Sequence, residues 1–547
     1  MRVILKDEEL LLPIEALNKF KERLPPKLLE IEEVNLEDAL GRVLAEDIES
    51  PIHSPPFSRS TVDGFAIRSV DTPGRLRIIG KIEIGEYSNL KISKGEAVEV
   101  DTGSMIPEGA DAVVKVEDVV REGDYIVINK KVNLGSNIAW IGSDIPKGFI
   151  VAFKGTILNP QIISSLASLG IRRVKVFRKP KVAVIITGNE LIEPGSNLIP
   201  GKVYETNSFY LISKLKEMGA EVVRRKVVRD NLEEIKRELL DALRDADIVI
   251  ATGGSSAGER DFLHHAIREL GNIIVHGLKF KPGKPTILAE INNKPVFGLP
   301  GNPVSTLMIF EELISKYLKE MMGIREEKGH VIKAKLVLNA RADPKRVTYQ
   351  PVYVIKGDDG SFYAIPIPFD SYMINTFSLS DGFIVMNPNE EYKEGQEVNV
   401  VLKKPIEDRP VVVGEESSIM KMLEDNFKFR ILPIGSLPAY KLLKNNAGDV
   451  FIISSLMYNL QEEYSPTKII KRKILVNGEG AEIGYFEWIG LSKLVKNPTV
   501  RLRYVSLARN FIGKAKVVIP EDLGVQGEYL LDEELYIIVR NKGLRIF

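Results

Sequence analysis

Val182-Ala-Val-Ile-Ile-Thr187 is a continuous apolar run that ends in Gly188. A strand with one wet face alternates apolar and polar residues; a strand without alternation is covered on both faces. Helical spacing follows from Asn207 to Met218. A second strand (Glu221 to Val228), a second helix (Leu232 to Arg244) and a third strand, Asp247-Ile-Val-Ile-Ala-Thr252, come next, and the last runs into Gly253-Gly254. Apolar strands alternating with helices dictate a parallel sheet with helices on its faces. Such sheets bind ligands beyond the carboxyl ends of their strands. Thr187-Gly188 and Thr252-Gly253-Gly254 both lie at such ends.

The rest of the chain has other textures, as a length of 547 residues leads one to expect. Pro13 to Ala45 reads as helical, with Ile14, Leu17, Phe20 and Leu24 near helical spacing. From Ile52 to Lys147 short runs such as Val113-Val-Lys-Val116 and Tyr125-Ile-Val-Ile128 alternate with turns, the pattern of a β-rich lobe. Gln161 to Leu169 resumes a helix. His330 to Lys403 is again β-rich and reads as a small barrel or sandwich. Lys403-Lys-Pro-Ile-Glu-Asp-Arg-Pro410 reads as a linker to a final stretch of mixed strands and helices.

Composition excludes several functions. The 75 basic and 75 acidic residues cancel, so no global field draws the chain to nucleic acid. There are no cysteines, hence no disulfide, thiolate ligand, Fe–S cluster or Cys nucleophile. With five histidines, a metal is expected to be hard and carboxylate-bound, with Mg2+ foremost. The first ten residues carry interrupting charges and no signal-peptide core, and no apolar run has membrane-spanning length. A cytoplasmic protein is expected. Scarce glutamine and absent cysteine suit a thermophile.

Two loops have the chemistry of a rigid anion site: Phe280-Lys-Pro-Gly-Lys-Pro285 and Gly298-Leu-Pro-Gly-Asn-Pro-Val-Ser305. Proline stiffens each loop, glycine admits a ligand to the backbone, and a helix N-terminus near Val304 offers N–H groups. Isolated, either would be an ordinary turn. Thr252-Gly-Gly-Ser-Ser-Ala-Gly-Glu-Arg-Asp261 follows a buried strand and suits a phosphate, with Asp261 able to hold Mg2+ against it. Glu190 and Asp230 stand at two more strand ends, and three carboxylates there make a candidate magnesium site. Singly, each is as well explained as a helix cap or first-turn acid. In the lobe, the loop from Ser54 to Ala66 presents Asp63-Gly64, and a second loop runs from Asp101 to Val114. Either could be a plain hairpin turn.

Together these segments resemble the molybdopterin molybdenumtransferase family, which includes the E domain of gephyrin. The family pattern PPF-x-x-S-x-x-DGYA is met by Pro55-Pro56-Phe57, Ser60 and Asp63-Gly64-Phe65-Ala66. TG-x-x-x-P-x-GADAVV is met by Thr102-Gly103, Pro107 and Gly109 to Val114, and G-x-D-I by Gly142, Asp144 and Ile145. TG-(D/N)-EL, TGG-x-S-x-G-x-x-D, KPGKP and GLPGNPVS follow in order. The resemblance covers about Leu11 to Leu402. Phe65 replaces the usual Tyr, Asn189 an acid, and Asp370-Ser371 a Gly-Ser turn.

The resemblance implies an α/β multidomain fold. Residues 1–50 and 146–178 would form an elongated linker domain with helices, and 51–145 the β-rich lobe. Residues 179–328 would form the molybdopterin-binding parallel-sheet domain, 329–404 a small β-barrel, and 408–547 a C-terminal α/β module. That module is similar to a lobe of periplasmic oxyanion-binding proteins, as some archaeal members carry. Its anion positions would be the loops Val411 to Ser418 and Pro433 to Ala439. It is short for two full lobes and reads as a degenerate or regulatory unit.

The implied activity is insertion of molybdate or tungstate into adenylylated molybdopterin with release of AMP. Asp63, Thr102, Asp144, Lys281 and Lys284 would serve catalysis. Thr252, Gly253, Gly254, Ser256, Asp261, Pro300, Asn302, Pro303, Ser305 and Ser371 would bind substrate, and Glu190, Asp230 and Asp261 would hold Mg2+. The lysines can clamp the molybdate dianion and the leaving phosphate, and Asp63 or Asp144 can act as acid or base. The family forms homodimers in which the lobe of one subunit faces the sheet domain of the other, so the site is expected to be shared. The adenylyltransferase of the same pathway is a possible partner. Two alternatives remain: that adenylyltransferase itself, against which the lobe motifs speak, and a non-catalytic carrier or scaffold, against which the full set of acids and lysines speaks.

Overall fold

The computed structural model describes residues 10–253, 261–324, 330–407, 409–426, 429–460, 464, 466–477, 482–485, 489–494, 500–502, 516–520, 522 and 528–540. The expected α/β multidomain architecture is observed.

The first helix, Pro13–Arg23, stops well short of Ala45. Pro25 and Pro26 follow it and cannot continue a helix. Ile31–Asn35 is instead a strand, paired antiparallel with Arg173–Phe177. That partner lies about 140 residues away, beyond the reach of local periodicity. The helix buries Ala16, Leu17 and Phe20, and Phe20 packs its ring on Phe297 and Tyr317 of the sheet domain. Helix Pro160–Ser168 is capped by Asn159, whose Oδ1 accepts from the Ile162 amide.

The lobe is a six-stranded sheet in which Gly64–Ile67 lies between Ala112–Lys115 and Glu96–Val100. Asp63-Gly64 is therefore the entry to a central strand. A side chain at Gly64 would meet the Val114 carbonyl oxygen at 1.9 Å. Phe65 is buried in the lobe core, so its missing hydroxyl faces apolar neighbours rather than a site.

The sheet domain runs in the spatial order Glu221–Val228, Lys181–Thr187, Ile248–Thr252, Lys294–Leu299, Ile287–Ile291, Asn272–His276. The first four strands are parallel, as their apolar runs require. Ile287–Ile291 runs antiparallel to both its neighbours, Lys294–Leu299 and Asn272–His276. Asn292 and Asn293 explain the reversal: both have positive φ and form the two-residue turn that joins Ile287–Ile291 to Lys294–Leu299. Helix Asn207–Glu217 and the helical run from Pro303 to Met321 cover one face, and helices Leu232–Asp245 and Phe262–Leu270 the other. Strands Lys181–Thr187 and Ile248–Thr252 are buried almost throughout, worth roughly 25 cal/mol per Å² of apolar surface.

Between residues 331 and 402 a small barrel closes, because Val347–Lys356 pairs with both Phe362–Pro366 and Gly382–Met386. In the C-terminal module the parallel strands Arg430–Leu432, Val411–Gly414 and Val450–Ser454 adjoin the antiparallel Glu528–Val539 and Lys468–Asn477. The module does not hang on a free tether. Its Val411, Leu442, Phe451 and Tyr536 share one apolar core with Tyr353, Ile355 and Tyr363 of the barrel.

Candidate functional site

A cleft of about 500 Å³ opens at the carboxyl ends of the parallel strands. Thr187, Thr252 and Gly253 form its floor, and Pro300, Asn302 and Pro303 form a wall. Glu190, Tyr204 and Asn207 come from the loop and helix after the first of these strands. Pro285 enters from the Phe280–Pro285 loop, and Tyr372 and Ile374 from the barrel. Among the residues expected from sequence, Glu190, Thr252, Gly253, Pro300, Asn302 and Pro303 are thus brought together. Gly254 and Ser256 lie outside the described residues.

Three buried polar atoms on this cleft, Thr187 Oγ1, Thr252 Oγ1 and Asn207 Oδ1, have no hydrogen-bond partner among the described residues. A buried hydroxyl left unpaired is costly, and such groups concentrate where a ligand completes the bonding. Thr187 and Asn207 carry this signal alongside Thr252, yet sequence reasoning did not name them as site residues. Position at a strand end was the available hint for Thr187. For Asn207 there was none. Gly253 is required where it stands: its φ is +134°, and a Cβ there would fall 1.9 Å from Thr187 Oγ1.

Asn302 precedes the helix at Pro303, but its amide does not cap that helix. Its Nδ2 donates to Ser371 Oγ at 3.0 Å, and the Val304 amide donates to the Ser371 carbonyl at 3.0 Å. Ser371 therefore belongs to the rim, through Asn302. Ser305 is buried in the first helical turn. Lys281 does not line the cleft; its Nζ lies 3.4 Å from Asp343 of the barrel. Lys284 holds its loop through its carbonyl, which accepts from Leu278.

The three acids expected to hold a metal do not converge. Among the described residues no three His, Asp or Glu side chains group as a metal cage. Asp230 is engaged with Asn189, each accepting from the other's amide at 3.1 and 3.3 Å. An amide at position 189 suits this exchange, because its Oδ1 accepts from the Asp230 amide without bringing a second negative charge to the Asp230 carboxyl. Asp261 caps the helix Phe262–Leu270, accepting from the His264 amide at 2.9 Å. Burial pushes its carboxyl up to about 7. Glu190 remains as an exposed oxygen donor on the cleft. One carboxylate there fits a hard cation held mainly by a substrate's own phosphates, the usual manner of Mg2+.

The lobe residues form a separate rim. Asp63 accepts from the Thr102 amide at 2.6 Å and from Thr102 Oγ1 at 2.8 Å. These bonds hold its carboxyl below the usual carboxylate range. Asp144 accepts from Ser54 Oγ at 3.2 Å. The loops are laced together, Gly103 donating to Ser60 at 2.8 Å and Ile141 to Ser58 Oγ at 3.1 Å. No lobe residue lines the cleft within the one chain.

In the C-terminal module both expected anion positions are taken by the chain itself. Glu415, fully buried, accepts from the amide (3.1 Å) and hydroxyl (2.7 Å) of Ser436 and from the Gly490 amide. Burial and the neighbouring Glu533 push its carboxyl up to about 7. Asp522 accepts from the amide and hydroxyl of Ser418, at 3.2 and 3.1 Å.

Comparison with known proteins agrees with this architecture. Residues 13–170 match the MoeA N-terminal region (domain I and II). Residues 183–320 match a domain described as a probable molybdopterin binding domain, and residues 333–403 the MoeA C-terminal region (domain IV). The molybdopterin molybdenumtransferase of Haemophilus influenzae is 34% identical over 377 residues, spanning 68% of this chain and 93% of that protein. That of Bacillus subtilis is 33% identical over 388 residues, spanning 68% and 90%. The crystal structure of a molybdopterin biosynthesis MoeA protein from Pyrococcus horikosii superposes with a TM-score of 0.63 at 40% identity, covering 72% of this chain and 99% of the other. The family matches end at residue 403, before the C-terminal module.

Proposed function

The chain belongs to the MoeA family of molybdopterin molybdenumtransferases, and on that premise we propose that it transfers molybdate or tungstate onto adenylylated molybdopterin and releases AMP in the cytoplasm. The observation that carries this reading is the strand-end cleft with its three unpaired buried polar atoms. A nucleotide-bearing pterin, rich in donors and acceptors, meets that unfilled capacity. Thr187, Thr252 and Asn207 hydrogen-bond it, and Gly253 lets its phosphates approach the backbone. Lys284, next to Pro285 of the cleft, supplies positive charge for the oxyanion and the leaving phosphate, while Lys281 is held by Asp343. Glu190 is the residue that would hold Mg2+, which when bound polarises the phosphoanhydride.

Asp63, Thr102 and Asp144 act from the partner subunit of a homodimer, in this reading, since they form a rim apart from the cleft of their own chain. Asp63, held below the usual carboxylate range by Thr102, would take the proton from a dithiolene thiol as its sulfur binds the oxyanion and pass it to the departing oxo ligand, which leaves as water. The C-terminal module is a periplasmic-binding-protein-like lobe that has lost its anion site, a reading supported by Glu415 and Asp522 at both amide-lined positions.

The test is AMP release from adenylylated molybdopterin with Mg2+ and either molybdate or tungstate, for the native chain and Asp63→Ala. Oxyanion-dependent release, lost in Asp63→Ala with nucleotide binding retained, is expected. Tight binding without release under either oxyanion would leave a carrier and sink the transferase.

A further inference from the structure

We infer that the C-terminal module positions the substrate cleft, through a buried ion pair between Arg430 of the module and Asp381 of the barrel. This rests on the cleft being the pterin-nucleotide site, and it gives the module a part in that site although the module adds no residue to its wall.

Arg430 opens the strand Arg430–Leu432. Its guanidinium crosses into the barrel, donating to the Val354 carbonyl at 3.0 Å and to Asp381 Oδ2. The pair is dry: the Arg430 side chain is 7% exposed and that of Asp381 0%. Asp381 Oδ2 also accepts from the Val354 amide at 2.7 Å, while the Asp381 backbone pairs with Val352 and Lys403. Asp381 Oδ1 has no partner among the described residues. A carboxylate so buried depends on its cation, and removing one member of such a pair leaves an uncompensated charge.

Asp381 ends the segment that builds one side of the cleft. Immediately before it lies the helix Ile374–Leu379, tied at its end by Ser380, whose Oγ donates to the Phe377 carbonyl at 2.7 Å. Ahead of that helix stand Ser371, which receives Asn302 Nδ2, and Tyr372, which lines the cleft with Ile374. The segment is held at Ser371 by Asn302 and the Val304 amide, at the Phe377 carbonyl by Lys403 Nζ, and at Asp381 by backbone bonds and by Arg430, the one of these contacts that comes from the module. Another module–barrel ion pair, Arg540 to Asp358 at 2.6 and 2.7 Å, is solvent-facing and does not touch the segment.

The experiment compares Arg430→Met, Arg430→Lys, Arg430→Met with Asp381→Asn, and Arg540→Ala in the full chain. Hydrogen exchange of amides 371–380 and steady-state AMP release are both read. Arg430→Met is expected to speed exchange of the Phe377 and Ser380 amides by about tenfold and to raise KM for adenylylated molybdopterin about fivefold, the size of one lost hydrogen bond. Its kcat should change little. Lysine, which keeps the charge and loses the fork, should fall between. The double variant should recover much of the protection, because no carboxylate is left buried without its guanidinium and Lys403 keeps its bond to the Phe377 carbonyl. Arg540→Ala should match the native chain in KM and in exchange over 371–380. Unchanged exchange over 371–380 in Arg430→Met, or a KM that moves equally in Arg540→Ala, would overturn the inference. If the native chain releases no AMP, the proposed function fails, while the exchange data still decide whether Arg430 holds the segment.

Discussion

Thr252→Val should stabilise the protein and weaken its substrate at the same time. Thr252 is 0% exposed and its Oγ1 has no partner among the described residues. Burying an unpaired hydroxyl costs on the order of 1–3 kcal/mol. Valine keeps the β-branch and nearly the same shape in the strand Ile248–Thr252, so it removes that cost without opening a cavity. A net gain of about 1 kcal/mol would raise the melting temperature by roughly 2–4 °C for a domain of this size. The bound nucleotide would lose one hydrogen bond, about 1 kcal/mol, or roughly a fivefold rise in KM. Differential scanning calorimetry of the ligand-free protein reads the first effect, and saturation kinetics of AMP release the second. A lower melting temperature would show that the hydroxyl is satisfied in the folded protein, and an unchanged KM that it does not face the substrate. Either result refutes the argument that unpaired atoms mark this site.

Other expectations follow from single contacts. Gly253→Ala places a Cβ 1.9 Å from Thr187 Oγ1 at a φ of +134°, and should cost at least about 2 kcal/mol in denaturant titrations and abolish AMP release. Asp261 and His264 should drive opposite pH dependences of stability. With its carboxyl raised to about 7, Asp261 keeps a proton in the folded state that the unfolded chain has released, so it loses stability as pH rises from 4 to 7. Burial first, then the nearby His276, lowers His264 to about 4, so His264 loses stability as pH falls from 6.5 to 4, each group at about 1.4 kcal/mol per pH unit. Asp261→Asn should then unmask the histidine slope and His264→Phe the carboxylate slope; two identical profiles would contradict both shifts. Asp63, held below the usual range by Thr102, should stay ionised through neutrality. AMP release by Thr102→Val should consequently decline at a higher pH on acidification than in the native chain, and coincident profiles would remove Asp63 from the acid–base chemistry.

Much of the sheet domain was legible because its signal is local. Runs such as Val182–Thr187 have no polar face to leave wet, and the glycines after them stand where a turn needs positive φ. Both features depend on near neighbours in the chain. The expected helix from Pro13 to Ala45 failed on two counts: Pro25-Pro26, a local signal, ends it, and Ile31–Asn35 is a strand because the distant Arg173–Phe177 offers a partner. The antiparallel hairpin of the sheet has a local signal too, Asn292-Asn293, the residue type that tolerates the positive φ of a two-residue turn.

The chain's own order of residues determined the strand-end cleft, its glycine at 253 and its Pro/Asn wall, since each of these follows from backbone geometry within a few residues. Only the tertiary structure decided which polar groups went unpaired there, that Lys281 pairs with Asp343, and that Asp63 and Asp144 stand on a rim apart from the cleft. It also decided that Glu415 and Asp522 would fill the positions where the module was expected to take an anion. Hydrogen-bond satisfaction is settled by groups that arrive from distant segments. A motif shows what a residue can do, and the neighbours brought by folding leave it free to do so or occupy it.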